Sequence, residues 1–283
     1  MKRTKRNPNK RRGVSNLAIS NFKYDNISLS NFNNGKYILG YFSTDENPTE
    51  GQRNYNQTPL FLGLEQPFVY SNYEDTLTFT LSIVKNPCVT DEDSISVIEM
   101  EALKRWLCRP APHKFELDGE EYANIYWEGT FQIEEEIVGA KRAGVTLTFI
   151  STRPYALQKD VIFEGTIENV EDDTLTINDV STEIGYIYPT IQITCKEAGD
   201  LTIYNSFDDR QTIVNNCRNN EIITFTRYLQ ITTNVSSHEI QDDFNYKFLR
   251  IGNNYSTKTN TLSFSIPCEY VITYNPIRKV LPI

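Results

Sequence analysis

Two histidines are the side chains in this chain best suited to proton transfer near neutral pH, because imidazole titrates there without help from its surroundings. His113 sits between Pro112 and Lys114, where a helix-like run gives way to a strand-like one, and His238 sits in the polar segment SSHEIQDD. Neither has a cysteine, histidine or acid at a ligand-like spacing, so both read as surface or turn residues. Carboxylates cluster at Glu134-Glu135-Glu136, Glu171-Asp172-Asp173, Asp208-Asp209 and Asp242-Asp243. Paired acids serve glycoside hydrolysis and calcium binding. Adjacent residues on a strand point to opposite faces, however, and acids in turns mostly solvate the loop. No EF-hand loop, G-x-S-x-G elbow, P-loop or H-E-x-x-H motif occurs. Cys88, Cys108, Cys195, Cys217 and Cys268 are odd in number and scattered, with no C-x-x-C pair, which argues for reduced thiols over a disulfide framework or zinc knuckle. The expectation is a protein without catalytic residues, cofactor or metal.

The elements around these residues are more informative. Thr76–Tyr155 holds a strand, a helix, a hairpin and a second strand in close order. In TLTFTLSIV, Leu77, Phe79, Leu81 and Ile83 alternate with Thr76, Thr78, Thr80 and Ser82, the period-two pattern of a half-buried strand. In DEDSISVIEMEALKRWLCRP, Ile95, Ile98, Ala102, Leu103, Trp106 and Leu107 recur at helical spacing and form the expected core face. Asp91–Asp93 are the expected capping acids, Lys104, Arg105 and Arg109 suit the carboxyl end, and Pro110 and Pro112 stop the helix. Asp118-Gly119 lies between two strand-like runs and predicts a tight hairpin. GVTLTFISTRPYA closes the unit as a strand.

At 283 residues the chain is long enough for two domains, each with its own core. No apolar run approaches the ~18 residues a bilayer span needs, and no apolar segment follows the basic start, so neither a membrane role nor a secretory signal is expected. The net charge of −9 conceals a strong polarity. Lys2, Arg3, Lys5, Arg6, Lys10, Arg11 and Arg12 fall in a start that has no acid; the rest of the chain holds 21 basic against 37 acidic residues. Residues 1–16 cannot bury apolar surface and read as a disordered arm. Such an arm can bind phosphates, dock on an acidic protein or stay solvated; the acidic body, which repels phosphate, favours protein docking.

Ser43–Thr58 is polar and too long for a tight turn, and it leads into the apolar run PLFLGLEQPFVY. Leu60, Phe61, Leu62, Leu64, Phe68, Val69 and Tyr70 read either as an arm packed on a neighbouring subunit or as a hairpin of the same domain. The first domain should end near Ser151–Lys159, giving units at 17–154 and 155–283. From Asp160 onward the pattern is strands only, separated by Asn-, Asp- and Gly-rich turns at the spacing of a β-sandwich. Tyr186, Tyr188, Tyr204, Phe207, Tyr228, Tyr246 and Tyr255 there read as core and sheet-edge residues or as a platform for stacking sugars.

Taken in order, NFKYDNISLSNF, EALKRWL, PHKFELDGEEYANIYWEGTF, GVTLTFISTRPYA, AGDLTIYN, DDFNYKFLRIGNN and EYVITYNPIR resemble the distal tail protein (Dit) family of siphovirus-type phages. The resemblance covers most of the chain from about Phe22. It implies a mainly β protein, with an N-terminal β-sandwich carrying one helix and a hairpin, followed by a galectin-like β-sandwich. It further implies a homo-hexameric ring at the virion tail tip, assembled in the host cytoplasm. That ring would join the tail tube to the tape-measure or tail-tip hub protein and to tail-fibre or receptor-binding proteins, with DNA only passing through the channel. The family has no catalytic residues to carry over. Larger members insert carbohydrate-binding modules, for which this chain has no room, and the basic start exceeds the usual opening. A free carbohydrate-binding protein is the alternative, and a glycosidase a weaker one that would need two acids to converge in a cleft.

Overall fold

The computed structural model describes residues 21–40, 50–57 and 69–280. The protein is mainly β, with one long helix and several antiparallel sheets. The first half contains β1 (Phe22–Tyr24), β2 (Ile27–Ser28), β3 (Tyr37–Leu39), β4 (Arg53–Gln57), β5 (Val69–Tyr73), β6 (Thr78–Lys85), α1 (Val97–Leu107), β7 (His113–Leu117), β8 (Ile125–Val138), β9 (Lys141–Ser151) and β10 (Ala156–Gln158). Most of these form one continuous sheet in the order β2-β1-β7-β8-β9-β6-β3. Three steps separate β6 from β7 in that order, which in a flat sheet would hold them ~14 Å apart. The Phe79 and Phe115 rings are nevertheless 5.6 Å apart, so the sheet rolls over its own aromatic face. Phe22, Phe115, Phe131 and Phe149 fill the interior, and α1 covers it with Leu103, Trp106 and Leu107.

The helix departs from expectation at its start. Ser96, not Asp91–Asp93, is the N-cap: its hydroxyl accepts from the Glu99 amide at 3.3 Å, and the Glu99 carboxylate accepts from the Ser96 amide at 2.9 Å. Asp93 instead pairs with Lys141. Met100, Leu103, Trp106 and Leu107 face inward while Ile98, on the opposite side of the helix, faces out. Ile95 is buried ahead of the helix and Ala102 is half-buried.

The Asp118-Gly119 expectation also needs correction. β7 and β8 do pair, Phe115 opposite Trp127, but residues 118–124 intervene and include a 3-10 turn at Glu120–Tyr122. The two-residue turn lies between β8 and β9, where Gly139 and Ala140 have φ of +56° and +63° and Val138 faces Lys141. Both residues in left-handed conformation match the twist of the strands they join.

The second half contains β11 (Val161–Ile167), β12 (Leu175–Asn178), β13 (Gly185–Ile187), β14 (Thr190–Cys195), β15 (Gly199–Asn205), β16 (Arg210–Cys217), β17 (Ile222–Thr226), β18 (Gln230–Thr233), the short α2 (Ile240–Asp243), β19 (Ile251–Asn253), β20 (Thr259–Phe264), β21 (Cys268–Tyr274) and β22 (Ile277–Arg278). One sheet runs β11-β21-β14-β17-β18 and another β12-β20-β15-β16. Alternate residues of both meet in one core, with Ile193, Ile223 and Ile272 from the first and Ile177, Ile203 and Leu262 from the second. This is a β-sandwich. At the junction, β10 pairs with β8 of the first domain and with β22 from the end of the second, Leu157 facing both Tyr126 and Ile277.

Candidate functional site

The residues expected to carry function divide sharply. Lys2, Arg3, Lys5, Arg6, Lys10, Arg11 and Arg12 lie outside the described residues, as do Leu60, Phe61, Leu62, Leu64 and Phe68. Val69 and Tyr70 open β5, which pairs with β4 in a two-stranded ribbon that joins no other strand among the described residues. The base of that ribbon is tied to the second domain. Arg53 and Tyr73 from the ribbon, Glu50 just before it, and Glu183 and Lys279 from the second domain form one cluster. Tyr73 Oη donates to Glu50 Oε2 at 2.7 Å and also to Glu183. Lys279 Nζ lies 2.9 Å from Glu50 and 2.8 Å from Glu183. The Arg53 guanidinium lies 4.3 Å from the Tyr73 ring centre and pairs with Glu183. Burial raises the Tyr73 phenol, and the two carboxylates accepting its proton raise it further, so it stays a donor.

His238 sits at a turn, one of the two expected places, its amide donating to the Val235 carbonyl at 3.0 Å. It is buried, not at the surface, with Nδ1 2.6 Å from Glu221 Oε1 and Nε2 3.2 Å from Asp243 Oδ2. Burial opposes charge on the imidazole, but the Glu221 contact outweighs it and the pKa rises. Glu221 is fully buried, and the Thr233 hydroxyl and His238 hold its carboxyl below the usual range despite the burial. Nothing in the spacing of this pair along the chain marked it, because Glu221 and His238 belong to different turns. His113 leads β7, edge-on to Tyr24 and 3.3 Å from Asp25.

The carboxylate clusters are used locally. Asp173 accepts from the amides of Glu168 and Asn169, Asp208 pairs with Arg250, and Glu135 pairs with Arg142 and Lys104. The five cysteines are free, with Cys195, Cys217 and Cys268 buried. Among the described residues no group of three His, Cys, Asp or Glu side chains has the arrangement of a metal site.

One exposed feature of the first domain stands out. Val97 and Ile98 at the start of α1 are 57% and 78% exposed, and Ile137 and Val138 at the β8–β9 turn are 65% and 68% exposed. Val97 and Ile137 line the same shallow depression, held together by the Ile95 amide donating to the Arg142 carbonyl at 2.8 Å. Val97 and Ile137 share this depression and Ile98 and Val138 are their neighbours along the chain, an exposed apolar feature of the kind that interaction surfaces carry.

Residues 17–153 match the family model described as the phage tail protein N-terminal domain, and residues 155–274 match the phage tail C-terminal domain. The chain belongs to this family of phage tail proteins. Its fold is that of a Dit protein. It is similar to the crystal structure of SPP1 Dit, described as a paradigm of the hub adsorption apparatus in phages infecting Gram-positive bacteria. That match has a TM-score of 0.62 at 10% identity, over 91% of this chain and 99% of the other. A chain of the phage P2 baseplate in its activated conformation with Ca also matches, with a TM-score of 0.40 at 10% identity, over 93% of this chain and 99% of that one. No curated protein matches by sequence.

Proposed function

We propose that this phage tail protein is the ring subunit of the tail tip. In this reading it is a homo-hexamer between the tail tube protein and the tape-measure or tail-tip hub protein, with its second domains offered to tail-fibre or receptor-binding proteins. It is assembled in the host cytoplasm, and DNA meets it only in passage. It works by holding parts together, without catalysis. The exposed aliphatic patch of Val97, Ile98, Ile137 and Val138 carries the reading. Taking one such side chain out of water stabilises a contact by roughly 1.5–3 kcal/mol, and a head-to-tail contact repeated around an axis closes into a ring. The fold likeness to SPP1 Dit supports the same role.

Two further contacts belong to this proposal. Pro59–Tyr73 packs against the neighbouring protomer, its base anchored through Tyr73. The seven cations of residues 1–16 dock on an acidic tail protein, through ion pairs that salt screens over ~8–10 Å. The native mass of the purified chain is the test. A species near six times 32.7 kDa is expected, reduced to a monomer by Ile98→Asp with Ile137→Asp, both exposed enough to leave folding intact. Deleting residues 1–16 should spare the ring and weaken docking in a salt-dependent way. A monomer that persists at high concentration and with purified tail partners would overturn the proposal.

A further inference from the structure

An open cleft of about 720 Å³ lies between the two domains. That volume falls within the roughly 300–1,000 Å³ that holds small ligands. Of the seven aromatic residues that the sequence put forward, Tyr186, Tyr188 and Tyr228 meet in this cleft, and Tyr155, at the boundary between the domains, adds a fourth ring. Tyr204, Phe207, Tyr246 and Tyr255 do not line it.

The rings are held from behind. Tyr186, still 46% exposed, has Phe207 edge-on at 5.9 Å and the Arg250 guanidinium 3.6 Å from its centre. Phe207 can lie there only because residue 252 is glycine: a Cβ at Gly252 would come within 2.1 Å of its ring. Tyr155 has Tyr73 edge-on at 5.8 Å, and Tyr73 is itself locked in the interdomain ionic cluster.

Polar groups face the same volume. Arg227 Nη1 donates to Asn275 Oδ1 at 3.1 Å, and Asn275 Nδ2 donates to Asp160 Oδ1 at 2.6 Å and to the Gln158 carbonyl at 3.0 Å. That chain sets a guanidinium fork and a carboxylate in place, each with hydrogen-bonding capacity left over. Arg227 and Tyr228 belong to the tip of the β17–β18 hairpin, where Thr226 faces Gln230. Leu229 in that tip has φ of +60°, a conformation that costs a leucine about 1–2 kcal/mol. Beside it Tyr228 is 70% exposed. The left-handed residue closes the three-residue loop and presents Tyr228 to the cleft.

We propose that this cleft binds a short saccharide, its volume lying within the range of small-ligand sites. A pyranose presents an apolar C–H face, which packs on a tyrosine ring, and a rim of adjacent hydroxyls, which a carboxylate and a guanidinium bind two at a time. Among the described residues that line the cleft Asp160 is the only carboxylate, and the proposal is for binding, not for the cleavage that a pair of acids performs. The site is complete within one chain and does not depend on ring formation. A protein partner would need a broad face of about 800 Å² per side, whereas rings and polar fork here enclose one small concave volume.

The test is a broad glycan array probed with the full chain. It is followed by calorimetric titration of the best-bound glycan and of maltotriose, chitotriose and trigalacturonic acid. Binding to at least one saccharide is expected, weakened about tenfold by Tyr228→Ala, the scale of one lost aromatic contact. Arg227→Ala should weaken it as much, while Tyr255→Ala, remote from the cleft, should leave it unchanged. Matched thermal melts of all three variants exclude misfolding. No saccharide signal on the array, or binding indifferent to Tyr228 and Arg227, overturns the proposal, as does a tail protein captured through these two residues in place of a glycan. The native mass tests the ring independently, so either reading can fail alone.

Discussion

The two domains bury charge in opposite ways. In the first, Lys85 is buried beside Glu92 and Glu99, its Nζ 2.7 Å from an oxygen of each. Burial alone would raise the Glu99 carboxyl, but Lys85 and the Ser96 amide and hydroxyl outweigh it and hold it at about 2. In the second, His238 is buried against Glu221, and the imidazole is lifted instead. The cores differ as well. Rings dominate the first, with Phe22 stacked on Trp106 and Phe115 tilted against Phe79 and Phe149 and edge-on to Phe131. Isoleucines dominate the second. A single sheet that rolls over itself has a wide interior, which large rings fill. Two facing sheets about 10 Å apart are filled by branched aliphatic side chains. The lesson is that each domain buries an ion pair, the first around a carboxylate held below its ordinary value and the second around an imidazole raised above its own.

The largest expected effect breaks the first core alone. Phe115→Ala removes a fully buried ring with five aromatic neighbours and should cost about 3–5 kcal/mol. Both tryptophans, Trp106 and Trp127, lie in that core, so tryptophan fluorescence reports the first domain selectively. Its transition should move to lower denaturant while far-ultraviolet circular dichroism keeps a later phase from the second domain. Coincident loss by both probes would mean that the domains unfold as one.

Glu99→Gln should cost about 2–3 kcal/mol, because it leaves buried Lys85 with one partner and weakens the helix cap. The folded carboxyl lies below its ordinary value of 4.5, so its contribution is complete above that pH and is lost as pH falls toward about 2. Fluorescence-monitored acid unfolding of the wild type should therefore be steeper between those limits than that of the variant.

The smallest effect concerns the second domain. The folded His238 pKa lies above 6.5, so its contribution is complete below that pH and fades as pH rises through the folded value. His238→Gln should lower stability by about 1–2 kcal/mol at pH 6 and flatten this alkaline decline, as judged by circular dichroism. An unchanged slope in the variant would place the pH dependence elsewhere.

Much of the scaffold could be read from local pattern. The alternation of Leu77, Phe79, Leu81 and Ile83 is the buried face of β6, and Leu103, Trp106 and Leu107 are the inward face of α1. The errors came where one residue of phase decides the outcome. Ser96 and the acids at Asp91–Asp93 are both good caps, and Ile98 lies on the helix side opposite Leu103 and Leu107, so an expected core residue is exposed. Asp118-Gly119 is favourable turn chemistry, yet packing of Tyr122 into the core draws in a longer connection. Gly139-Ala140 lacks the Asn-Gly signature and still makes the tight turn, because the long pairing of β8 with β9 sets the register.

By itself the sequence determined the strand-rich class, the helix between β6 and β7, the change of pattern near Pro154 and the contrast between basic start and acidic body. These follow from period, composition and charge, which are properties of neighbours along the chain. Only the tertiary structure decided that His238 is buried on Glu221, that Arg53, Tyr73, Glu183 and Lys279 tie the domains together, and that Tyr155 joins Tyr186, Tyr188 and Tyr228 around one cleft. Those partners are up to about 226 residues apart (53 to 279) in the sequence, and no local preference encodes their meeting. It arises when two cores, each burying its own apolar face, are brought side by side through the shared pairing of β10 with β8 and β22.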